Sequence, residues 1–505
     1  MMETLDGTEW DVVILGTGFA ESLLALSLSR SGKRILHLDK NDYYGGDEAA
    51  LSLSEAEAWA SRFAEDAPQC RFSKASVTKP AASEAEHGNQ LSSSRAYSLA
   101  LAPHIIYARS NLVPALVSSR SHSQLDFQAV GSWFVVGSSA DSSQVQQRLI
   151  RVPSGREDVF QDKSFDLKAK RSLMKFLRFV AAYEDQPDVW EGSRQLPFSI
   201  FLEQKFGLPA SSHEPILALT MSQASAGSTS TEHALPSIAR HLRSLGIFGP
   251  GFGAVLPKWG GLAEIAQVAC RACAVGGGVY VLNKSIKSMT PAHDDSGPSL
   301  ELSDGEKLST TWLCGSVDDS SALRLGTNAT PSSAYSTSRS ISIVSSPLPS
   351  LFPPTSEGGV APAGAVVVVP SSDASEPPVH MFVHTSDAGE CPMNQSVIYS
   401  SIAMPHDSGL PHLERAVASL LGAVREQPSP QVLWSLRYQQ QHADFEHSLM
   451  NAQEGVIVLS SLSCDLVLED SSLDKVKIAW QKITGESENA FMNFDPREGA
   501  NDEDD

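Results

Sequence analysis

The sequence predicts an α/β protein in which a small all-helical domain interrupts a larger α/β domain. Three observations carry that expectation: a strand, glycine turn, helix and strand in order over residues 11–39, helix-spaced apolar residues between about 153 and 250, and short strand-like runs beyond Pro257. Asp11-Val-Val-Ile-Leu15 is apolar without alternation after its first residue, as in a strand covered on both faces. Gly16-Thr-Gly-Phe-Ala-Glu21 is the turn, residues 22–30 are a helix closed by Gly32, and 34–39 are a second strand. The two strands form a parallel pair with a right-handed crossover.

From about 51 to 95 the composition turns to Ala, Ser and Glu, which predicts a surface insert, partly disordered. Residues 99–106 read as a strand and 112–117 as a short helix. Leu173, Phe176, Leu177 and Val180 recur at i, i+3, i+4 and i+7, and Leu235, Ile238, Leu242 and Leu245 hold a similar face before Gly246. With the apolar patches 198–202 and 216–221 between them, these define a helical domain at 153–250. That leaves 1–152 and 251–485 as a discontinuous α/β domain. Its second part opens with a helix around 264–274 and a strand at 278–282. Strand-like pieces follow through Leu466, with 320–340 and 349–362 read as loops. Residues 486–505 hold eight acids and one arginine, the composition of an acidic disordered tail.

The chain has 59 acidic and 38 basic residues, a net charge of −21. That excess argues against phosphate-backbone binding, so nucleic acid is not an expected partner, and by net charge neither is anionic lipid. The first ten residues carry three acids and no basic or apolar run, unlike a secretory signal. The longest aliphatic run, Ala365-Val-Val-Val-Val369, stops at Pro370, far short of the ~20 residues a membrane span needs. Cysteines at 70, 270, 273, 314, 391 and 464 fit a reduced cytoplasmic protein, with Cys270 and Cys273 as small buried thiols. The 14 histidines form no HExxH, and neither a Walker loop nor a Gly-x-Ser-x-Gly elbow is present, so neither a metal site nor a catalytic constellation is expected.

Gly16 and Gly18, with Asp39 closing the second strand, begin a dinucleotide-binding fingerprint in the right context. Its third glycine is replaced by Glu21. A carboxylate in the first helical turn suits the helix's positive end but occupies the place of a pyrophosphate. The loop is therefore read as degenerate, with no cofactor expected.

Gly16-Thr-Gly-Phe-Ala-Glu21, Gly32-Lys-Arg-Ile-Leu-His-Leu-Asp39 and above all Asn41-Asp-Tyr-Tyr-Gly-Gly46 resemble the first signature regions of the Rab GDP dissociation inhibitor and Rab escort protein superfamily. Leu256-Pro-Lys-Trp-Gly-Gly-Leu-Ala-Glu-Ile-Ala-Gln267, continuing to Asn283, resembles a later one. Residues 221–229, 432–438 and 491–499 are more similar to the escort branch, fungal members in particular, than to the inhibitors.

The resemblance implies a flavoprotein-monooxygenase-like, FAD/NAD(P)-binding-type large domain without flavin. It also implies a non-catalytic role: binding GDP-bound Rab GTPases, presenting them to the Rab geranylgeranyltransferase heterodimer, and escorting the geranylgeranylated product to membranes that the carrier itself touches only transiently. On this resemblance Tyr44, Glu264, Arg271, Val279 and Val281 are the Rab contacts. The small domain takes the prenyl lipid and the transferase, with Leu173, Phe176, Leu177, Val180, Ile216 and Leu217 as candidate lining. A Rab GDP dissociation inhibitor is the alternative reading.

Overall fold

The structure, a computed structural model, describes residues 4–67, 70–80, 90–139, 146–153, 167–290, 297–316, 323, 333–355, 359–444 and 455–495. Two large sheets organise it. The strands Thr8–Leu15 and Ile35–Leu38 pair in parallel, with Val12 opposite Ile35 and Leu15 opposite Leu38. Val279–Val281 adds outside Ile35–Leu38 as an edge, and Lys307–Ser316 lies on the other side of Thr8–Leu15. The helices Phe19–Leu28, Leu262–Val275 and Ser471–Thr484 pack together on one face of this sheet. Leucines and valines including Val13, Leu36, Leu300 and Leu313 fill the other face, which is why the first strand carries no polar alternation.

The second sheet has ten strands and begins with Phe72–Thr78, Val432–Asp444, Ser333–Val344 and Ser396–Ile402 in that spatial order. The helix His406–Val424 covers one face. The other face shares a continuous core with the helices between residues 167 and 244, centred on rings of Phe176, Phe179, Phe198, Phe201 and Phe206.

Several expectations change. Of the insert read at 51 to 95, residues 53–67 and 70–78 are not a surface excursion. The helix Leu53–Arg62 starts with Glu55 accepting the Ser52 N–H at 2.8 Å, and it buries Trp59 against Phe63, Phe72 and Tyr438. Phe72–Thr78 then pairs antiparallel with Val432–Asp444. The Ala- and Ser-rich composition had masked one apolar stripe on a short helix. Residues 81–89 lie outside the described residues.

The stretch read as a loop at 320–340 also divides: Ser333–Val344 is an interior strand, paired on both sides. Its serines serve close packing. A Cβ on Gly409 of the covering helix would lie only 2.4 Å from the Ser338 hydroxyl, so glycine against serine lets helix and sheet approach. That helix, His406–Val424, and Ser471–Thr484 fall where the sequence had suggested strands or nothing definite. Conversely, the strand read at 99–106 is two short pieces, Leu99–Ala100 and Ile106–Tyr107, in different sheets.

The acidic tail begins later than composition implied. Met492 is fully buried, Phe491 packs on Trp480, and Arg30 lies over Phe494 and donates to the Asp495 carbonyl at 2.5 Å. Residues 496–505 lie outside the described residues.

Among the buried imidazoles of the described residues, four are strongly shifted. Burial lowers His37, His104, His241 and His380 from 6.5 to about 4. A depressed histidine means that the unfolded chain binds more protons than the folded one between those values. Stability is therefore complete above the window and lost as pH falls through it. The urea midpoint is expected to be clearly lower at about pH 5 than at about pH 7.5. An equal or higher midpoint at the acidic pH contradicts neutral burial.

Candidate functional site

The glycine turn is closed by the chain's own carboxylates. Gly16, with φ 85°, ends the first strand, and Gly18 precedes the first residue of the helix Phe19–Leu28. One oxygen of Asp39 accepts the Thr17 N–H at 2.8 Å and the Thr17 hydroxyl at 2.6 Å, and the other accepts the Asn41 N–H at 2.7 Å. Burial raises the Asp39 pKa, against the opposing pull of those bonds. Glu48 reaches back and accepts the Phe19 N–H at 3.0 Å, on the first turn of the helix. Glu21 is buried beside it: a Cβ on Gly18 would meet Glu21 Oε2 at 2.8 Å and Glu48 Oε2 at 3.4 Å.

An open helix N-terminus offers N–H donors and a positive dipole end to an anion. Here both face protein carboxyl groups, and a pyrophosphate in the same place meets the side chains of Glu21 and Glu48. Asp39, the acid positioned for a ribose, has one oxygen bonded to Thr17 of the glycine turn and the other to Asn41 of its own loop. These residues do not fit a dinucleotide.

The loop that carries Glu48 can press this close because of Gly45 and Gly46, at φ 99° and 51°. A Cβ on Gly46 would lie 3.1 Å from both the Cα and the N of Gly18. Gly46→Ala is expected to cost at least about 1 kcal/mol through φ strain and this contact, measured by denaturant unfolding. A neutral result contradicts the tight closure.

Beside the closed turn lies an exposed surface. Tyr44 is 37 % exposed, and its ring stands 6.2 Å from Tyr280, which in turn lies 4.7 Å from buried His37. Tyr280 lies near Cys270 and Cys273, whose thiols burial raises, Cys270 to about 11. On the same edge strand Val279 is exposed and Val281 half-buried, in register with Leu36 and Leu38. The helix Leu262–Val275 buries Leu262, Ile265, Ala269 and Cys273, leaving Glu264 half-buried and Arg271 exposed. Burial raises the Glu264 carboxyl while the Arg271 charge pulls it back, as for two groups two helical turns apart on one face.

The structure treats the six candidate lipid-lining residues differently. Leu173, Phe176, Val180 and Ile216 are buried in the core, and Leu177 is partly buried against it. Leu217 borders a cavity of about 270 Å³ between the helical lobe and residues 368–380. Helix-spaced apolar residues in so small a lobe are consumed by its own packing.

The sequence profile of the GDP dissociation inhibitor family matches residues 6–352. The chain belongs to that family. Among relatives, it is 32% identical over 307 residues to "Rab proteins geranylgeranyltransferase component A" of Saccharomyces cerevisiae, covering 60% of this chain and 48% of that one. It is 29% identical over 398 residues to the Candida albicans protein of the same name, covering 77% and 59%. It is also 27% identical over 307 residues to the "Probable secretory pathway GDP dissociation inhibitor 1" of Schizosaccharomyces pombe, covering 59% and 62%. The chain thus spans about half to three fifths of the length of the first two relatives. Among solved structures, a Plasmodium falciparum Rab GDI superposes with a TM-score of 0.68 at 19% identity, covering 95% of this chain and 99% of that one. A putrescine oxidase gives 0.51 at 12% identity, covering 95% and 100%. The fold is therefore the FAD/NAD(P)-binding type shared by this family and flavin oxidases.

In this GDP dissociation inhibitor family chain, sequence reasoning found Glu21 but missed Glu48 and Tyr280. Glu48 carries no periodic signal; only its position just after two adjacent glycines hints that the loop turns back. Tyr280 sits between the two valines that drew attention, and strand alternation alone places it on their opposite face.

Proposed function

We propose that this chain is an escort-type accessory protein, which binds GDP-bound Rab GTPases and presents them to Rab geranylgeranyltransferase for modification of their C-terminal cysteines. One observation carries the reading: the helix N-terminus that would hold a cofactor's phosphates is filled by Glu21 and Glu48, while next to it Tyr44, Val279 and Arg271 are exposed. A dinucleotide fold closed from within, with an aromatic and charged surface beside it, suits protein recognition rather than redox chemistry. Family membership and the names of the Saccharomyces and Candida relatives support the same conclusion.

On this reading the chain has no catalytic residue and takes no flavin. Tyr44 supplies rigid contact area and a hydroxyl, Val279 and Val281 an apolar edge, and Glu264 with Arg271 charge-assisted bonds that orient the GTPase. The helical lobe receives the geranylgeranyl chains and the transferase, with Leu217 a lining candidate that borders a cavity. The protein works in the cytoplasm and meets membranes transiently. No helix among the described residues is long and apolar enough to cross one.

The inhibitor reading rests on the Schizosaccharomyces relative. Co-purification separates the two: an escort protein holds the transferase heterodimer in a complex with Rab, and an inhibitor does not. Failure to retain the transferase contradicts the escort assignment. Flavin released on denaturation contradicts both.

A further inference from the structure

The small lobe carries a cationic groove that net charge alone would not suggest. Arg171, Lys175 and Arg178 lie at i, i+4 and i+7 on the helix Leu167–Ala181, all exposed. With Lys205 from the neighbouring helical turn they line a groove of about 740 Å³. Its apolar lining includes Met174, Phe179 and Phe206, and Lys175 Nζ stands 5.5 Å from the centroid of the Phe206 ring. Among the described residues no acidic side chain lines it and these four cations make no ion pair; Lys170 also lines it. In a chain with 59 acids and 38 bases, four cations around one groove with no acid among its described lining are a local concentration, not an average. Leu167, 77 % exposed at the start of the same helix, extends the apolar strip to the surface.

We propose that this groove docks the protein on anionic phospholipid, with phosphate headgroups on Arg171, Lys175, Arg178 and Lys205 and the apolar glycerol and acyl region against Met174, Phe179 and Phe206. Charge complementarity selects an anion, and the apolar floor selects an amphiphile over a free ion. A lipid surface is favoured over an acidic peptide because the lining, among the described residues, holds long flexible cations and a single amide, Gln186. It lacks the fixed donors and acceptors that would set a peptide's register. The net charge of −21 does not oppose this: at physiological ionic strength charges beyond ~8 Å are largely screened, so the local field governs docking. The site is separate from the Tyr44 surface and does not depend on the GTPase reading.

The test is flotation of the full chain with phosphatidylcholine vesicles, alone or doped with phosphatidylserine, over a range of salt. Binding is expected only to the anionic vesicles and to weaken as salt rises. The variant R171Q/K175Q/R178Q is expected to bind on the order of 100-fold more weakly, at about fivefold per cation lost. K33Q/K475Q/K482Q, which removes the same charge elsewhere, is expected to bind like the parent. Equal binding to neutral vesicles, an unaffected groove variant, or equal loss in the control variant overturns the proposal. So does displacement of the protein from vesicles by polyglutamate far below the lipid concentration, which assigns the groove to an acidic protein partner. Circular dichroism of both variants checks that each is folded.

Discussion

The double variant Tyr44→Ala, Arg271→Ala is expected to bind a GDP-loaded Rab at least about 100-fold more weakly than the parent. Anchor aromatics and arginines in protein interfaces cost about 2 kcal/mol or more each on truncation, and tenfold in affinity is about 1.4 kcal/mol. The two side chains reach the surface from different elements, the loop after the second strand and the helix Leu262–Val275. Their effects should therefore be largely separable, with each single variant losing on the order of 10-fold or more. Both residues are exposed, so the unfolding free energy should change by no more than about 0.5 to 1 kcal/mol. Calorimetric or fluorescence titration with one GDP-bound Rab measures the first effect and urea unfolding the second. Unchanged affinity in the double variant removes the surface assignment. Lost affinity together with a collapsed midpoint shows instead that the residues hold the fold.

Trp59→Ala carries the largest expected stability effect, a loss of about 3–5 kcal/mol. The indole is 2 % exposed, with Phe63, Phe72 and Tyr438 rings at 4.9, 5.1 and 5.3 Å. Those contacts join the helix Leu53–Arg62 to the edge strand Phe72–Thr78 and its neighbour. For a protein with an ordinary stability of about 5–15 kcal/mol, the variant should lose much of its margin and populate unfolded chain on mild warming. The experiment separates the two accounts of this region cleanly. A surface insert tolerates the change within about 0.5 kcal/mol, whereas a wall of the main core does not.

The first βαβ unit was legible because its physics is local. An apolar strand, two glycines and an apolar helix are read from consecutive residues, and the structure moves their bounds by only a few positions. Glu21 was legible for the same reason, since a carboxylate in a first helical turn has one place to go. What sequence could not show depends on contacts between distant residues. Glu48 matters because Gly45 and Gly46 fold it onto Phe19, 29 positions away. The serines of Ser333–Val344 look like loop composition until Gly409 is seen above Ser338. Leu173, Phe176, Val180 and Ile216 had the spacing of a buried face, and spacing is blind to whether that face meets a lipid or the ring of another phenylalanine. The net charge is silent in a similar way, because a sum over 505 residues carries no information about where Arg171, Lys175 and Arg178 stand relative to one another.

Reconstitution of Rab prenylation from purified Rab, transferase heterodimer and this chain tests the central claim most directly. The expected result is transfer of geranylgeranyl groups to the Rab C-terminal cysteines only when the chain is present, with the double variant at Tyr44 and Arg271 failing to support it at concentrations sufficient for the parent. Prenylation at the same rate without the chain contradicts the escort function.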